Sequence, residues 1–300
     1  MRLFVKLLGG FLIVGVVLLA FVLVPPHLQI RRVEPELPSE AQLRGLLVAP
    51  NGPVRLRYLN TSSQELPDGV LGHTVFVAEW ANGNLFMIDA GMDREAAIEF
   101  GRLMESALGA QEAVSHGSVD QLLGEDTMRV QGVAFTHLHI DHAQGIVPFC
   151  EVRGSGARVY QTSWQKDLLN FNTTEAAELV ENSCLSAGQM TGETLMEIAD
   201  FPGLGIAALG GHTPGSTLFA IAIDGRLWIL SGDITNSKAD LRSDTGKGFL
   251  YSYLMVPENT ARTAELRPWL MELDSNADMT VLVSHDLNDT QTSGLAEFGR

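Results

Sequence analysis

Apolar residues within residues 54–300 fall into short continuous runs, and longer amphipathic segments separate these runs. The runs predict buried strands, because each is short and is bounded by turn residues. Strands are predicted for VRLRYLN, HTVFVAEW, LFMID, VQGVAFT, ARVYQT, GIAALG, TLFAIAID, RLWILSG and MTVLVS. The segments REAAIEFGRLMESAL and ARTAELRPWLMEL carry apolar residues at helical spacing. Strands and helices alternate in both halves, which predicts an α/β fold with helices covering the sheets.

A different apolar pattern occupies the start of the chain. Between Lys6 and Pro25 lie 18 uncharged, almost wholly apolar residues. As a helix they would extend about 27 Å, close to the bilayer core of about 30 Å. We therefore predict a single-pass transmembrane anchor over residues 1–24, with a signal peptide as the alternative. Residues 25–53, which hold several prolines, are predicted to form a linker or wrapped arm, and residues 54–300 a globular domain.

The charge balance narrows the class of partner. The chain has 36 Asp and Glu residues against 20 Lys and Arg, a formal net charge of −16. A protein that grips a phosphate backbone needs the opposite balance, so no nucleic-acid partner is expected. The low Lys and Arg content after residue 32 favours an extracytoplasmic domain. Cys150 and Cys184 form at most one disulfide, and the sequence leaves open whether they pair or are buried as small apolar side chains.

Potential metal ligands are concentrated in the segment THLHIDH, directly after the predicted strand VQGVAFT. Residues two apart in an extended stretch project to the same side, so His137 and His139 can reach one ion. Asp141 and His142 follow where the chain turns into a helix, so they can face a second ion. The density of ligand-type side chains predicts a metal site.

Three further candidates, His212, Asp233 and His285, each follow an apolar predicted strand. Alone, each is a weak signal, because a His or Asp at a strand end is often a hydrogen-bonded turn residue. Together with the first segment they form a set of imidazoles and carboxylates that suits zinc, iron or manganese. The other histidines, His27, His73 and His116, belong to no cluster and are predicted to be structural or exposed.

These motifs resemble those of the metallo-β-lactamase superfamily. The pattern HxHxDH, the GHTPGS loop, the SGD loop and the VSHD strand end occur in the superfamily's order, as does IDAG around Asp89. The resemblance implies an αββα sandwich with a dinuclear site at one edge of its two sheets. It also implies that His137, His139 and His212 hold one divalent metal ion, that Asp141, His142 and His285 hold the other, and that Asp233 bridges them. Asp89 would orient the metal loop through hydrogen bonds.

A metal-dependent hydrolase is the predicted activity. Two cations about 3.5–4 Å apart lower the pKa of a shared water, so that a bridging hydroxide attacks a bound carbonyl group. Asp141 is predicted to be catalytic as well as a ligand, because it can steer the nucleophile or carry its proton to the leaving group. Zinc is the expected metal, with iron or manganese as alternatives. The expected substrate is a small ester, lactone or related acyl compound; the alternatives are an iron-dependent redox enzyme for persulfide or oxygen chemistry, and a non-catalytic metal module.

Departures from the superfamily's subgroups narrow the substrate further. Its β-lactamases generally lack the bridging aspartate that stands here as Asp233, so antibiotic hydrolysis is not expected. Its lactonases place a substrate-contacting tyrosine three residues later, where this chain has Asn236. Tyr251 and Tyr253 are the aromatic residues that can reach the pocket instead, although an aromatic pair covering the core is the first expectation for them.

Overall fold

The computed structural model describes residues 2–67 and 69–299, without the side chains of residues 2–13, 16, 107 and 108. Strands in this part of the chain form an eight-stranded and a five-stranded sheet. The strands are β1 (Pro53–Leu66), β2 (Gly69–Trp80), β3 (Leu85–Ile88), β4 (Val114–Ser115), β5 (Val130–Ala134), β6 (Arg158–Tyr160), β7 (Ser186–Ala187), β8 (Met196–Glu197), β9 (Leu204–Ala208), β10 (Thr217–Ile223), β11 (Arg226–Leu230), β12 (Met279–Leu282) and β13 (Ala296–Glu297).

Helices connect these strands and cover the sheets. The α-helices are α1 (Arg2–Ile30), α2 (Glu40–Gly45), α3 (Arg94–Leu108), α4 (Val119–Leu123), α5 (Ile140–Ala143), α6 (Ile146–Arg153), α7 (Ser163–Asp167), α8 (Thr174–Glu181), α9 (Lys238–Arg242), α10 (Thr260–Asp274) and α11 (Leu287–Thr292). Short 3-10 helices occupy Leu46–Val48 and Gly124–Arg129, and a π-helix occupies Tyr251–Met255.

Both sheets mix parallel and antiparallel pairs. The larger sheet has the order β13-β1-β2-β3-β5-β6-β7, with β4 paired to β1, and the smaller has the order β12-β11-β10-β9-β8. In the larger sheet β1, β2 and β3 pair antiparallel, whereas β3, β5 and β6 pair parallel. The start of β2 therefore lies at the same sheet edge as the ends of β3 and β5.

Alternate residues of the central strands face different layers. In β2, Phe76 packs between the two sheets, whereas Val77 packs in the cluster shared with α4, α6 and α8. In β10, Phe219 packs between the sheets and Leu218 packs with α2, α9 and α10. Burial on both faces explains why these strands read as continuous apolar runs. The layering of helices, sheet, sheet and helices confirms the predicted α/β sandwich.

The first helix, α1, corrects the predicted membrane anchor. No helix in the described part of the chain combines the length and the apolar character needed to cross a bilayer. The side chains of residues 2–13, with which the predicted span begins, lie outside that part. α1 continues through Pro25 and Pro26 to Ile30, which is fully buried. The predicted single-pass membrane location is therefore wrong, and with it the membrane partner that depends on the anchor.

The last turn of α1 packs onto the domain. The ring of His27 stacks on Tyr253 with 5.3 Å between ring centres, and its Nε2 lies 3.1 Å from the Tyr253 carbonyl oxygen. Gln29 donates a hydrogen bond of 3.2 Å to the carbonyl oxygen of Leu169. These contacts attach the end of the helix to the π-helix and to the segment after α7.

Residues 31–52 run along the domain as a wrapped arm. Val33 is fully buried, and the Arg262 guanidinium donates a 2.6 Å hydrogen bond to the carbonyl oxygen of Pro35. Ser39 caps α2, whose Leu43 enters the apolar cluster beside the smaller sheet. The segment is therefore packed rather than a free tether.

Cys150 and Cys184 are joined by a disulfide, which decides between the alternatives left open by the sequence. Their Cα atoms are 5.4 Å apart, and 34 positions of sequence separate them. The bond links α6 to the segment that precedes β7.

Candidate metal centre

The residues predicted as ligands meet at one edge of the sandwich, where several strands end. His137 and His139 lie in the loop after β5, Asp141 and His142 in α5, His212 after β9, Asp233 after β11 and His285 after β12. All but His139 are buried, and His139 is partly buried. The structure thus brings together all seven side chains that the sequence singles out.

Asp89 fixes the loop that carries the motif. It follows β3 with a left-handed backbone conformation, φ 64°. One carboxylate oxygen accepts a 2.7 Å hydrogen bond from the Thr136 backbone N–H, and the other accepts from the Thr136 hydroxyl at 2.8 Å. The second oxygen also lies 3.0 Å from His142 Nδ1. These contacts match the orienting role that the resemblance implies for Asp89.

A first group of donors consists of three imidazoles. His139 Nδ1 lies 3.0 Å from His137 Nε2 and 3.3 Å from His212 Nε2. Ligand atoms that share a tetrahedral zinc ion, with bonds of about 2.0–2.1 Å, lie roughly 3.3 Å apart. The spacing of these three nitrogens therefore fits a common metal ion.

A second group lies on the other side of the motif. Asp141 Oδ2 is 3.3 Å from His285 Nε2 and 3.6 Å from His73 Nε2. The donor atoms of these three residues all lie within 4.8 Å of one another. His73, in β2, was expected to be structural or exposed, and its ring is buried beside Asp141.

His142 and Asp233 lie between the two groups. His142 Nε2 is 3.6 Å from Asp141 Oδ2 and 3.6 Å from Asp233 Oδ1. Asp233 Oδ2 is 3.1 Å from His285 Nε2, in the second group, and 3.8 Å from His212 Nε2, in the first. A carboxylate that faces both groups is placed to bridge two ions.

Three of the histidines are held through the ring nitrogen that faces away from the cluster. His212 Nδ1 lies 2.6 Å from the Glu258 carboxylate, His142 Nδ1 contacts Asp89, and His285 Nδ1 donates to the carbonyl oxygen of Gly72 at 2.9 Å. Acceptors on Nδ1 place the proton there, so the Nε2 lone pair is free to bind a metal. Ser252 in turn donates a 2.5 Å hydrogen bond to Glu258.

The pKa shifts differ between His137 and His139 on one side and His142 and Asp233 on the other. Burial lowers the pKa values of His137 and His139 well below the ordinary range, and neighbouring imidazoles add to this effect. Burial also lowers the pKa of His142, but the carboxylates of Asp141 and Asp89 outweigh it and raise that pKa to about 10. For Asp233, burial opposes ionisation, but His285 and Lys247 outweigh it and hold the pKa well below its usual value.

Several buried nitrogen and oxygen atoms in this cluster have no hydrogen-bond partner among the described residues. These atoms include His139 Nε2, His73 Nε2 and Asp233 Oδ1. Leaving a buried polar atom unpaired costs about 1–3 kcal/mol, and a metal ion removes this cost for an atom that points toward it. The unpaired His73 and Asp233 atoms and the spacing of the donors both fit a site for divalent metal ions.

A buried lysine and a tyrosine border the donors. Lys247 Nζ lies 3.3 Å from Asp233 Oδ2 and 5.1 Å from the centre of the Tyr251 ring. The Tyr251 ring is parallel to that of His212 at 6.3 Å, so this tyrosine does reach the site. Lys247 also lines a cavity of about 260 Å³, together with Phe249, Tyr253, Glu258 and Arg267. By contrast, Asn236 is exposed.

Sequence reasoning missed three contributors: His73, Glu258 and Lys247. Only His73 carries a sequence signal, because it begins the predicted strand HTVFVAEW; its position beyond the end of β3 then depends on the antiparallel pairing of β2 with β3. Glu258 and Lys247 lie in a segment with no regular pattern, and their approach to the site depends on the fold.

Comparisons with known proteins agree with the resemblance that the motifs indicate. Residues 68–176, which include the HxHxDH pattern, match the family model of the metallo-beta-lactamase superfamily. Ribonuclease TTHA0252 of Thermus thermophilus is 26% identical to this chain over 198 residues, which make up 63% of this chain and 41% of the ribonuclease. The match therefore spans less than half of that relative.

Solved structures share the fold at low sequence identity. An N-acyl homoserine lactone hydrolase, solved with its product N-hexanoyl-L-homoserine bound at the catalytic metal center, superimposes with a TM-score of 0.59 and 14% identity, over 83% of this chain and 99% of that one. A probable metal-dependent hydrolase from Staphylococcus aureus gives 0.53 and 17%, over 79% and 91%. These structures share the fold, and the family match supports the prediction of a metal-dependent hydrolase. The match over residues 68–176 and the shared fold support the resemblance to the metallo-beta-lactamase superfamily that the motifs indicate.

Proposed function

We propose that this protein is a dinuclear metal-dependent hydrolase that acts on a small ester, lactone or related acyl compound. The observation that carries the proposal is the arrangement of two donor groups with Asp233 facing both. A single structural metal ion needs four ligands and no carboxylate between two groups. The proposed ligands are His137, His139 and His212 for one ion and Asp141, His142 and His285 for the other, with Asp233 shared.

Zinc is the proposed metal, with iron or manganese as the alternatives, because every donor is an imidazole nitrogen or a carboxylate oxygen. When bound, a pair of such ions activates a water molecule and polarises the carbonyl or phosphoryl group that the water attacks. The protein contributes the dry, buried edge in which this chemistry takes place.

Asp141 is the proposed catalytic group of the chain. Burial opposes ionisation of its carboxyl group, but His142 and His285 outweigh burial and lower its pKa, so the group is a carboxylate at neutral pH. An ionised carboxylate accepts a hydrogen bond from the attacking water and passes the proton to the leaving group.

Lys247 is proposed to orient the acyl substrate. Burial lowers its pKa, but Asp233 outweighs burial and raises it, so the ammonium group stays charged. Its position between Asp233 and the cavity allows it to bind a carbonyl or carboxylate oxygen next to the metal ions. This role would replace the tyrosine that lactonases carry at the position of the exposed Asn236.

A lactone is the first substrate to test, because one solved neighbour holds an acyl homoserine product at its metal center. RNA is the competing substrate, because the curated relative is a ribonuclease. The net charge of −16 opposes RNA binding, since a negatively charged chain repels a polyanion.

The test uses the full-length protein, freed of metal and reloaded with zinc or manganese. Proton release is followed over lactones, aryl esters, thioesters, β-lactams, phosphodiesters and RNA, with Asp233→Asn as the site variant. Asp200→Asn is the matched control, because Asp200 is exposed and pairs only with Arg158 among the described contacts.

We expect turnover of lactones or esters that Asp233→Asn abolishes and Asp200→Asn retains. Cleavage of RNA alone would replace the acyl substrate with a nucleic acid. Silence over the whole panel, combined with oxygen consumption by the iron-loaded protein, would replace hydrolysis with the redox alternative.

A further inference from the structure

His73 lies outside the ligand sets implied by the superfamily's motifs, yet it faces the metal centre. The antiparallel register of β2 and β3 pairs Phe76 with Ile88, so His73 lies beyond the end of β3, at the edge where Asp89 begins the site. The next residue back, Gly72, donates a 3.0 Å backbone hydrogen bond to the His285 carbonyl oxygen, and its own carbonyl oxygen accepts from His285 Nδ1 at 2.9 Å. The start of β2 is therefore fastened to the strand end that carries His285.

The ring of His73 is oriented so that Nε2 points toward Asp141 and His285. Its Nδ1 lies 2.9 Å from the Ser62 hydroxyl, and its Nε2 lies 3.6 Å from Asp141 Oδ2 with no hydrogen-bond partner among the described residues. The ring meets that of His285 edge-on, with 5.3 Å between ring centres.

The distances fit a ligand better than a packing residue. Two ligand atoms on one zinc ion lie roughly 3.3–3.6 Å apart for bond angles between tetrahedral and trigonal values. The separations from Asp141 Oδ2 to His285 Nε2 and to His73 Nε2, 3.3 and 3.6 Å, fall in this range.

We propose that His73 is an additional ligand of the metal ion held by Asp141 and His285. The inference rests on the proposed dinuclear function and adds one imidazole to the second ion. That ion would then be held by five side chains, whereas the first has three imidazoles and the shared carboxylate. The second ion is therefore expected to resist chelation longer than the first.

A purely structural role for His73 predicts different results. Its ring also meets Phe100 edge-on at 5.2 Å, so replacing it disturbs packing as well as any metal bond. Loss of packing lowers the stability of the metal-free protein, but it leaves the number of tightly bound ions and their ligand field unchanged. Metal binding must therefore be measured separately from folding.

The experiment compares wild type, His73→Asn and His116→Ala as full-length, metal-free proteins. His116 is the matched control because its Nε2 contacts the hydroxyl of Ser63, the neighbour of Ser62, but its ring is exposed. Zinc equivalents and affinities are measured by competition with a chromophoric chelator, and cobalt(II) spectra report the ligand field. Thermal unfolding of each metal-free protein reports the packing cost.

We expect two tight equivalents in wild type and in His116→Ala. In His73→Asn one equivalent should weaken at least about tenfold, and its cobalt spectrum should change, while the other equivalent is unaffected. Wild-type affinity for both ions in His73→Asn would overturn the inference and leave the dinuclear proposal standing. Fewer than two ions in wild type would overturn both.

A second measurement tests the inference even if His73→Asn fails to fold. In a crystal structure of zinc-loaded wild type, His73 Nε2 should lie about 2.0–2.1 Å from the second ion. A separation beyond about 3 Å in that structure, with both ions present, would exclude His73 as a ligand.

Discussion

Single residues behind the histidines decide which nitrogen faces the metal. Glu258 shows this most directly, because it is buried and its carboxylate lies 2.6 Å from His212 Nδ1. A proton held on Nδ1 leaves Nε2 free to bind a metal ion, so in the proposed site Glu258 would act on the metal through His212 without being a ligand.

Glu258→Gln should weaken zinc binding by about 10- to 100-fold, because the neutral amide holds the imidazole less firmly and lowers its basicity. Competition with a chelator measures this change. Glu265→Gln is the control, since Glu265 lies in α10, close in sequence to Glu258, but is largely exposed. Unchanged affinity in Glu258→Gln would mean that His212 keeps its orientation without the carboxylate.

Lys247→Met should lower kcat/KM about 100-fold on the best acyl substrate while leaving two ions bound, because it removes a charged donor next to the reacting carbonyl group. Steady-state kinetics and metal analysis on the same preparation provide the test. Lys166→Met, on the exposed surface of α7, should behave like wild type. Equal kinetics in both variants would remove Lys247 from the substrate site.

Some residues of the site could be predicted from the sequence and others could not, because only some of them follow a local sequence pattern. The seven proposed ligands follow apolar strands in sequence, so strand ends alone placed them at one edge. His73 precedes its apolar run, and its place depends on the antiparallel register of β2, which the sequence does not specify. Glu258 and Lys247 approach through tertiary packing of an irregular segment, and no local pattern marks them.

At the scale of elements, the strong predictions were those with a long apolar pattern. The segment predicted as REAAIEFGRLMESAL forms α3, and ARTAELRPWLMEL lies within α10, which continues past Pro268. The two-residue strands β4, β7, β8 and β13 were not predicted, because pairing with a neighbour defines them rather than their own side chains. The predicted end of the first helix before Pro25 was also wrong, since α1 continues through Pro25 and Pro26 to Ile30.

The disulfide between Cys150 and Cys184 is expected to stabilise α6 and the segment before β7. Closing a loop of 34 residues corresponds to about 3–4 kcal/mol of free energy of unfolding. The double replacement Cys150→Ser and Cys184→Ser should lose about this amount in urea denaturation, and reduced wild type should match it. Equal stability of oxidised and reduced wild type would show that the crosslink contributes nothing.

At the scale of the whole molecule, the binding of metal must be linked to protons. His142, with its pKa raised to about 10, carries a proton in the metal-free protein near neutral pH, and the carboxylate of Asp233 raises the pKa of His285 and so favours its protonated form. Zinc needs their lone pairs, so binding displaces these protons. His137 and His139, with lowered pKa values, are already neutral and release none.

Zinc affinity should therefore rise as pH increases from about 6.5 to 8.5, and binding should release protons throughout this range. Calorimetry in two buffers of different ionisation enthalpy measures the number released. The direction follows from the raised pKa values: protonation of His142 and His285 competes with zinc, and it weakens as pH approaches those values. Affinity that does not change with pH would show that these rings are neutral before binding.

The contact between α1 and Tyr253 has a practical consequence. Tyr253 shares its π-helix with Tyr251, which stacks over His212, so the beginning of the chain touches the same short segment as the metal centre. A protein shortened to begin at Arg31 would lose the His27 stack and leave one face of Tyr253 open to water. Kinetic constants measured on such a fragment would therefore include the effect of the lost contact at Tyr253. His27→Ala in the full-length chain removes only this contact, so comparing the two proteins separates its effect from that of the missing helix.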